Sequence, residues 1–254
     1  MDTAGRTARN SKPTLLWMAC GSCSGESMAI LGAEGRGKRG DTLPDFLAEQ
    51  DVGLLWHPSL SPEPPRQAAA LIDRIINGEQ HLTLLCVEGS IIHGPNGSGR
   101  FDMFEGRPKR DLVADLCEQA EYVLAMGSCA SFGGIPAAPP NPSESTGLQY
   151  TSSQPGGLLG PDWRSRAGTP VINLSACPAD ATTMIETMSS LLEGRDLELD
   201  RMARPSTQKP CLSEPDERRC RTADKVGYAC YGCIGPKFPL SKPLFKHREL
   251  PRAA

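Results

Sequence analysis

From about Thr14 to Gly194, short and wholly apolar runs alternate with stretches whose apolar residues recur at helical spacing. That alternation predicts a parallel sheet with helices on its faces. The runs Thr14–Ala19, Val52–His57, Leu82–Glu88, Tyr122–Gly127 and Pro170–Ala176 read as strands, since a strand buried on both faces is continuously hydrophobic. Between them the spacing predicts three helices. One covers Arg66–Asn77, with Leu71, Ile72, Ile75 and Ile76 on one face and Gly78 as its stop. A second covers about Lys109–Ala120, with Leu112, Val113, Leu116 and Ala120 inward, and a third about Asp180–Glu193, with Asp180 as N-cap and Gly194 at its end. The expected fold is α/β: a flavodoxin-like, doubly wound parallel sheet followed by a short, irregular, cysteine-rich region.

The pattern breaks in two places. From Gly133 to Trp163 the chain is rich in Gly, Pro and Ser without any period, and loops of that length in compact domains are usually functional. After Gly194 apolar runs become few while four cysteines appear, so that region needs another source of stability, and bound metal supplies one. The expected organisation is a tail over 1–13, a flavodoxin-like domain over 14–200 and a cluster-binding segment over 201–254 with a basic end. That end, Lys237 to Ala254, holds five Lys or Arg and one Glu. It reads as a solvated tail or as a dock for an acidic acceptor protein.

Composition narrows the class. The 254 residues are 39% hydrophobic and 22% charged with a net charge of −3, an ordinary globular balance with no sign of nucleic-acid binding. No run reaches the roughly 18 apolar residues a membrane span needs, and Met1 to Pro13 lack the apolar stretch of a secretory signal. A cytoplasmic protein is expected. In that compartment thiols stay reduced, so the ten cysteines point to metal and not to disulfides.

Their placement says more than their number. Cys20 and Cys23 follow the first strand, Cys129 the fourth and Cys177 the fifth, so all leave the carboxyl edge of the sheet, where open α/β sheets bind ligands. Separate loops would thus gather about four thiolates, the number that [4Fe–4S] ligation takes. A structural zinc site would favour paired CxxC units close in sequence. The carboxyl-terminal set Cys211, Cys220, Cys230 and Cys233 reads as a second cluster site, with zinc as the alternative metal. Cys86, inside an apolar run, and Cys117, on an apolar helix face, read as small core residues. Glu26 and Glu88 read as solvated loop acids.

The chain resembles the small subunits of nickel–iron hydrogenases, particularly the cytoplasmic uptake and hydrogen-sensing branch. The resemblance rests on Gly21-Ser22-Cys23-Ser24-Gly25 after Leu16-Trp17, Leu55-Trp56-His57-Pro58-Ser59-Leu60, Val87-Glu88-Gly89, Gly94-Pro95-Asn96-Gly97-Ser98-Gly99, Gly127-Ser128-Cys129-Ala130, Gly147-Leu148-Gln149, Arg164-Ser165-Arg166-Ala167-Gly168 and Ala176-Cys177-Pro178-Ala179. It implies a proximal [4Fe–4S] cluster, a second [4Fe–4S] or [3Fe–4S] cluster, and a nickel–iron centre in a separate large subunit. It also implies electron transfer to a redox acceptor, within an assembly of several heterodimers.

Two departures from that family stand out. Its first cluster motif is a CxxC beginning six residues after a tryptophan; counted from Trp17 this gives Cys23, with Glu26 in place of the second cysteine and Cys20 three residues early. Spacing therefore favours Glu26 as the fourth ligand, whereas softness favours the thiolate of Cys20, which is the preferred expectation. Cys211 also follows Arg204-Pro205 almost directly and no His lies between His93 and His247, so the outermost cluster site of the family is expected to be missing. Two other functions fit the same residues: a hydrogen sensor that signals through protein contacts, and a zinc-stabilised interaction module.

Overall fold

The computed structural model describes residues 12–32, 42–208 and 233–239. Five parallel strands form the centre: β1 (Thr14–Ala19), β2 (Gly53–Trp56), β3 (Leu82–Glu88), β4 (Ala120–Met126) and β5 (Ile172–Leu174). Their spatial order is β2-β1-β3-β4-β5, the flavodoxin-like order, with its switch point between β1 and β3. The predicted α/β fold is the observed one. β3 is buried along its whole length, as its unbroken apolar run requires, while edge strand β2 is half-buried throughout and shorter than its apolar run.

Helices cover both faces. On one lie α3 (Pro65–Ile76) and α4 (Lys109–Gln119), whose Ile72, Ile75, Leu112, Val113 and Leu116 pack on Leu16, Met18, Leu85 and Val87. On the other lie α1 (Gly25–Leu31), α2 (Leu43–Glu49) and α6 (Ala181–Leu192), which bury Ile30, Phe46, Met184 and Met188 against Leu15, Trp17, Leu84 and Leu124. Asp180 caps α6 as predicted, its carboxylate accepting the Thr183 N–H at 3.1 Å. Cys86 and Cys117 are fully buried in these two layers.

Three short helices were not predicted. α1, α2 and α5 (Gly127–Phe132) run for seven, seven and six residues, too short for a helical period to stand out. The stretch from Gly133 to Trp163 buries Leu148 and Leu159 in the core and is also held by polar side chains. Gln149, only 3% exposed, aims its amide nitrogen at the carbonyls of Gly160, Pro161 and Trp163 and accepts the Val171 N–H at 3.1 Å. Two short ladders, Ile91–Ile92 with Ser145–Thr146 and Tyr150–Thr151 with Gln154–Pro155, complete it.

Candidate functional site

The loops after β1, β3, β4 and β5 meet at the carboxyl edge of the sheet. Cys23 lies just before α1 and is exposed, Cys129 lies in the first turn of α5 and is half-buried, and Cys177 follows β5 and is exposed. These three thiols and the Glu26 carboxyl stand near enough to act on one another electrostatically. Burial first, then the neighbouring Cys177 and Glu26, push the Cys129 thiol up to about 12, while the Ile135 N–H donates to it and works the other way. Burial, Glu26, Cys233 and Cys23 push Cys177 up to about 11. Metal binding would need both thiols ionised, so a bound cation must supply the charge that favours their thiolates.

Glu26 is part of this group. It is 6% exposed, and its carboxyl lies against Glu88, accepts the Ala179 N–H, and sits where a side chain on Gly127 would be. Gly127 has φ +84° and Gly134 φ +53°, and a Cβ on Gly134 would stand 2.7 Å from the Cys129 sulfur. Glycine is therefore what lets the backbone close around these side chains. Burial first, and the Glu88 charge second, raise the Glu26 carboxyl to about 7.

Cys20, the thiol preferred over Glu26 on ligand softness, lies apart from the group. β1 runs straight into Cys20, whose N–H donates to the Glu88 carbonyl at 2.8 Å, so its side chain turns into the layer under α3 and α4 with Leu16, Met18 and Cys117. It is 7% exposed, and burial, followed by the Asp102 charge, pushes its thiol up to about 12. Lys109 closes the strand end, donating to the Ala19 carbonyl at 2.9 Å and pairing with Asp102 at 2.8 Å. The pleat places Cys20 on the opposite face of the sheet from Trp17.

Of the carboxyl-terminal set, Cys211, Cys220 and Cys230 lie outside the described residues. Cys233 is described, and it stands beside Cys177. Its segment is fastened to the site loops: Ser128 Oγ donates to the Cys233 carbonyl, Ser175 Oγ and Arg204 to the Ile234 carbonyl at 3.0 and 3.2 Å, and Ser152 Oγ to the Pro236 carbonyl at 3.0 Å. Arg204 is itself held by Asp200 at 2.7 Å. Cys233 is thus a neighbour of the first cysteine group.

Glu88, expected to be a solvated loop acid, is completely buried. Its oxygens accept from Trp17 Nε1 at 2.8 Å, Ser27 Oγ at 2.5 Å, and the Glu26 and Ser27 N–H groups at 3.2 and 3.3 Å. Ser27, His57 and Trp17 were not singled out as site residues. A charged residue ending an otherwise apolar, doubly buried strand was the available signal, since such a group must be met by donors.

Among the described residues, no three His, Cys, Asp or Glu side chains are close enough to share a single ion. A zinc ion needs donors about 2.0–2.3 Å from one point, whereas a four-iron cube holds its ligands around a body several ångströms wide. Three thiols and a carboxyl spread around a glycine-lined edge fit the larger group.

The chain is similar to known proteins along most of its length. It is 27% identical to the F420 non-reducing hydrogenase II small subunit of Methanosarcina mazei, over 91% of this chain and 62% of that protein. It is 26% identical to the hydrogenase-2 small chain of Escherichia coli, over 89% of this chain and 59% of that one. The chain thus spans about three-fifths of the length of these relatives. A periplasmic [NiFe] hydrogenase small subunit, from Nitratidesulfovibrio vulgaris, matches at 26% as well, so the likeness does not single out a cytoplasmic branch. In fold it resembles the actinobacterial-type NiFe-hydrogenase from Ralstonia eutropha (TM-score 0.73, 24% identity, covering 92% of this chain and 81% of that one). It also resembles the Ni-Fe-Se hydrogenase from Desulfomicrobium baculatum (TM-score 0.68, 20% identity, covering 92% and 98%). The family described as NADH ubiquinone oxidoreductase, 20 Kd subunit matches residues 19–191, which take in every loop of the site except the Cys233 segment, and the chain belongs to that family.

Proposed function

We propose that this chain is the electron-transfer subunit of a nickel–iron hydrogenase and that Cys23, Cys129, Cys177 and Glu26 hold its proximal iron–sulfur cluster. The observation that carries the reading is the convergence of these four side chains at the switch-point edge of the sheet. A cluster held there supplies one-electron carriage between a nickel–iron centre in a large subunit and an external acceptor. The chain's own part is to present three sulfurs and one carboxyl oxygen, to close glycine backbone around them, and to aim the Ile135 N–H at the Cys129 sulfur. Such bonds are among the features that set cluster potentials.

Cys211, Cys220, Cys230 and Cys233 form the second cluster site in this proposal, supported by the position of Cys233 beside Cys177. In this proposal the family's outermost cluster site, expected between Arg204-Pro205 and Cys211, is missing, and the enzyme works as a cytoplasmic, hydrogen-oxidising assembly of heterodimers. No helix among the described residues is long and apolar enough to cross a membrane.

Anaerobic purification with the partner, followed by metal and sulfide analysis, tests this. Roughly seven or eight irons per copy of this chain are expected, with the nickel in the partner. Glu26→Gln should alter the proximal EPR signal or release one iron, because an amide oxygen binds iron more weakly than a carboxylate. Zinc in place of iron, or hydrogen-dependent dye reduction absent from an intact complex, would refute the proposal.

A further inference from the structure

We propose that Glu88 is the positioning residue of this site: its buried carboxylate clamps the start of α1, and with it the Cys23–Glu26 loop, so that Glu26 faces Cys129 and Cys177. The inference rests on the cluster reading above and assigns a role to a residue that holds no metal itself.

The helix α1 has no side-chain cap of its own. Its N-cap, Ser24, has a left-handed backbone at φ 61° and makes no side-chain cap bond. The first-turn amides of Glu26 and Ser27 are met instead by Glu88 Oε1, from the end of a strand more than sixty residues away. A carboxylate from β3 thus does for α1 what a local Asp or Ser does elsewhere.

The bonds around Glu88 all run toward it. The Ser59 N–H donates to His57 Nδ1 at 3.0 Å, so the ring proton is on Nε2, which faces Ser27 Oγ at 3.5 Å. The Ser27 hydroxyl then spends its one proton on Glu88 Oε2, beside the Trp17 Nε1 donor. Trp17 and His57 also pack ring to ring, their centroids 5.2 Å apart. A fully buried acid facing four donors is set up as a hydrogen-bond acceptor. On that side Glu26 meets a carboxylate already supplied with donors; on its other side are the Gly127 backbone, the Ala179 N–H and the two cysteines.

A positioning role and a merely structural one differ in what they do to the cluster potential. Glu88→Gln removes a negative charge behind Glu26 and sets its amide N–H₂ against the Trp17 and Ser27 donors. The potential should rise, by roughly the equivalent of a tenfold change in the redox equilibrium, about 59 mV for one electron. Trp17→Phe keeps the packing but strips one donor from Glu88, leaving its charge less neutralised, so the potential should fall. Ser27→Ala should lower it in the same sense. The measurement is an EPR-monitored redox titration of the full chain, purified anaerobically with its native partners, beside iron and sulfide counts and thermal midpoints. Opposite shifts for Glu88→Gln and Trp17→Phe support the role. Lower thermal midpoints with unmoved potentials would reduce Glu88 to a structural acid and overturn the inference. Should Glu88→Gln not fold, the two donor variants decide alone. Loss of one iron in Glu88→Gln but not in Glu26→Gln would make Glu88 the ligand, which also overturns it. A wild-type complex without iron and sulfide would instead fail the cluster reading itself.

Discussion

Cys20→Ala separates a thiol that merely follows the first strand from one that belongs to the site. Cys20 is 7% exposed among Leu16, Met18, Val87 and Cys117, so the substitution removes one sulfur from a packed layer. A sulfur is about the size of a methylene group, worth about 0.8 kcal/mol of transfer. The cavity left behind adds about 0.6 kcal/mol, for roughly 25 Å³ at about 24 cal/mol per Å³. The sum, about 1.4 kcal/mol, corresponds to a fall of about 3–6 °C in the midpoint of a chain of this length. Cys23→Ala should show the reverse. Its thiol is exposed, so little packing is lost, but one iron ligand goes. The assay pairs a thermal scan of the iron-free chain under reducing conditions with iron content and EPR of the anaerobically purified complex. Full iron and an unchanged spectrum are expected for Cys20→Ala, and depleted iron for Cys23→Ala. Loss of the proximal signal in Cys20→Ala would show that the first loop turns over in the assembled enzyme, and would sink the placement of Glu26.

Two further outcomes follow from the same geometry. Gly134→Ala should deplete the proximal cluster while leaving the secondary structure in place, because the new Cβ would stand 2.7 Å from the Cys129 sulfur and 2.9 Å from its Cα at a φ of +53°; iron content and far-ultraviolet circular dichroism check it, and normal iron loading would refute it. The iron-free chain should lose stability as pH rises from about 4.5 to 7, since Glu26 titrates near 7 when folded against an ordinary value of 4.5 and the native state binds the extra proton across that window. The loss amounts to up to about 3 kcal/mol by linkage. Burial lowers His57 and His93, so they act in the opposite sense, losing stability as pH falls through the ordinary histidine range near 6.5. Denaturant midpoints with and without Glu26→Gln isolate the carboxyl: a pH profile that Glu26→Gln leaves unchanged would contradict the assignment.

The fold was legible because its signals are local and long. Five apolar runs and three amphipathic helices are each set by the residues within them, and the bounds of β1 and β3 match their runs residue for residue. Among the short helices α1 was not legible, since it is capped by Glu88 from another strand and has no signal of its own. For the site, the gathering of Cys23, Cys129 and Cys177 at one edge was readable from strand order alone. The separation of Cys20 from that edge was readable too, but only by giving the pleat priority over ligand softness. Cys20 simply continues β1 into the layer under α4, whereas Glu26 lies one turn into a helix whose start is pinned beside the cysteines. The approach of Cys233 to Cys177 had no sequence signal, because it depends on hydroxyls at Ser128, Ser152 and Ser175 finding backbone carbonyls across long separations.

What joins these features is electrostatic. The loops bring two carboxyls and three thiols together, and the thiols of Cys129 and Cys177 and the carboxyl of Glu26 are all displaced toward their protonated forms by burial and by one another. An edge built in this way opposes its own ionisation, and four donors on Glu88 relieve only one of its acids. Iron bound as proposed would remove the opposition at a stroke, since each ligand would then trade a proton for a bond to a cation. Metal affinity at this edge should therefore rise with pH over the same range in which the iron-free chain weakens. Folding of the first and last strand loops and loading of the metal become one coupled equilibrium, with Glu26 as the group through which pH enters both.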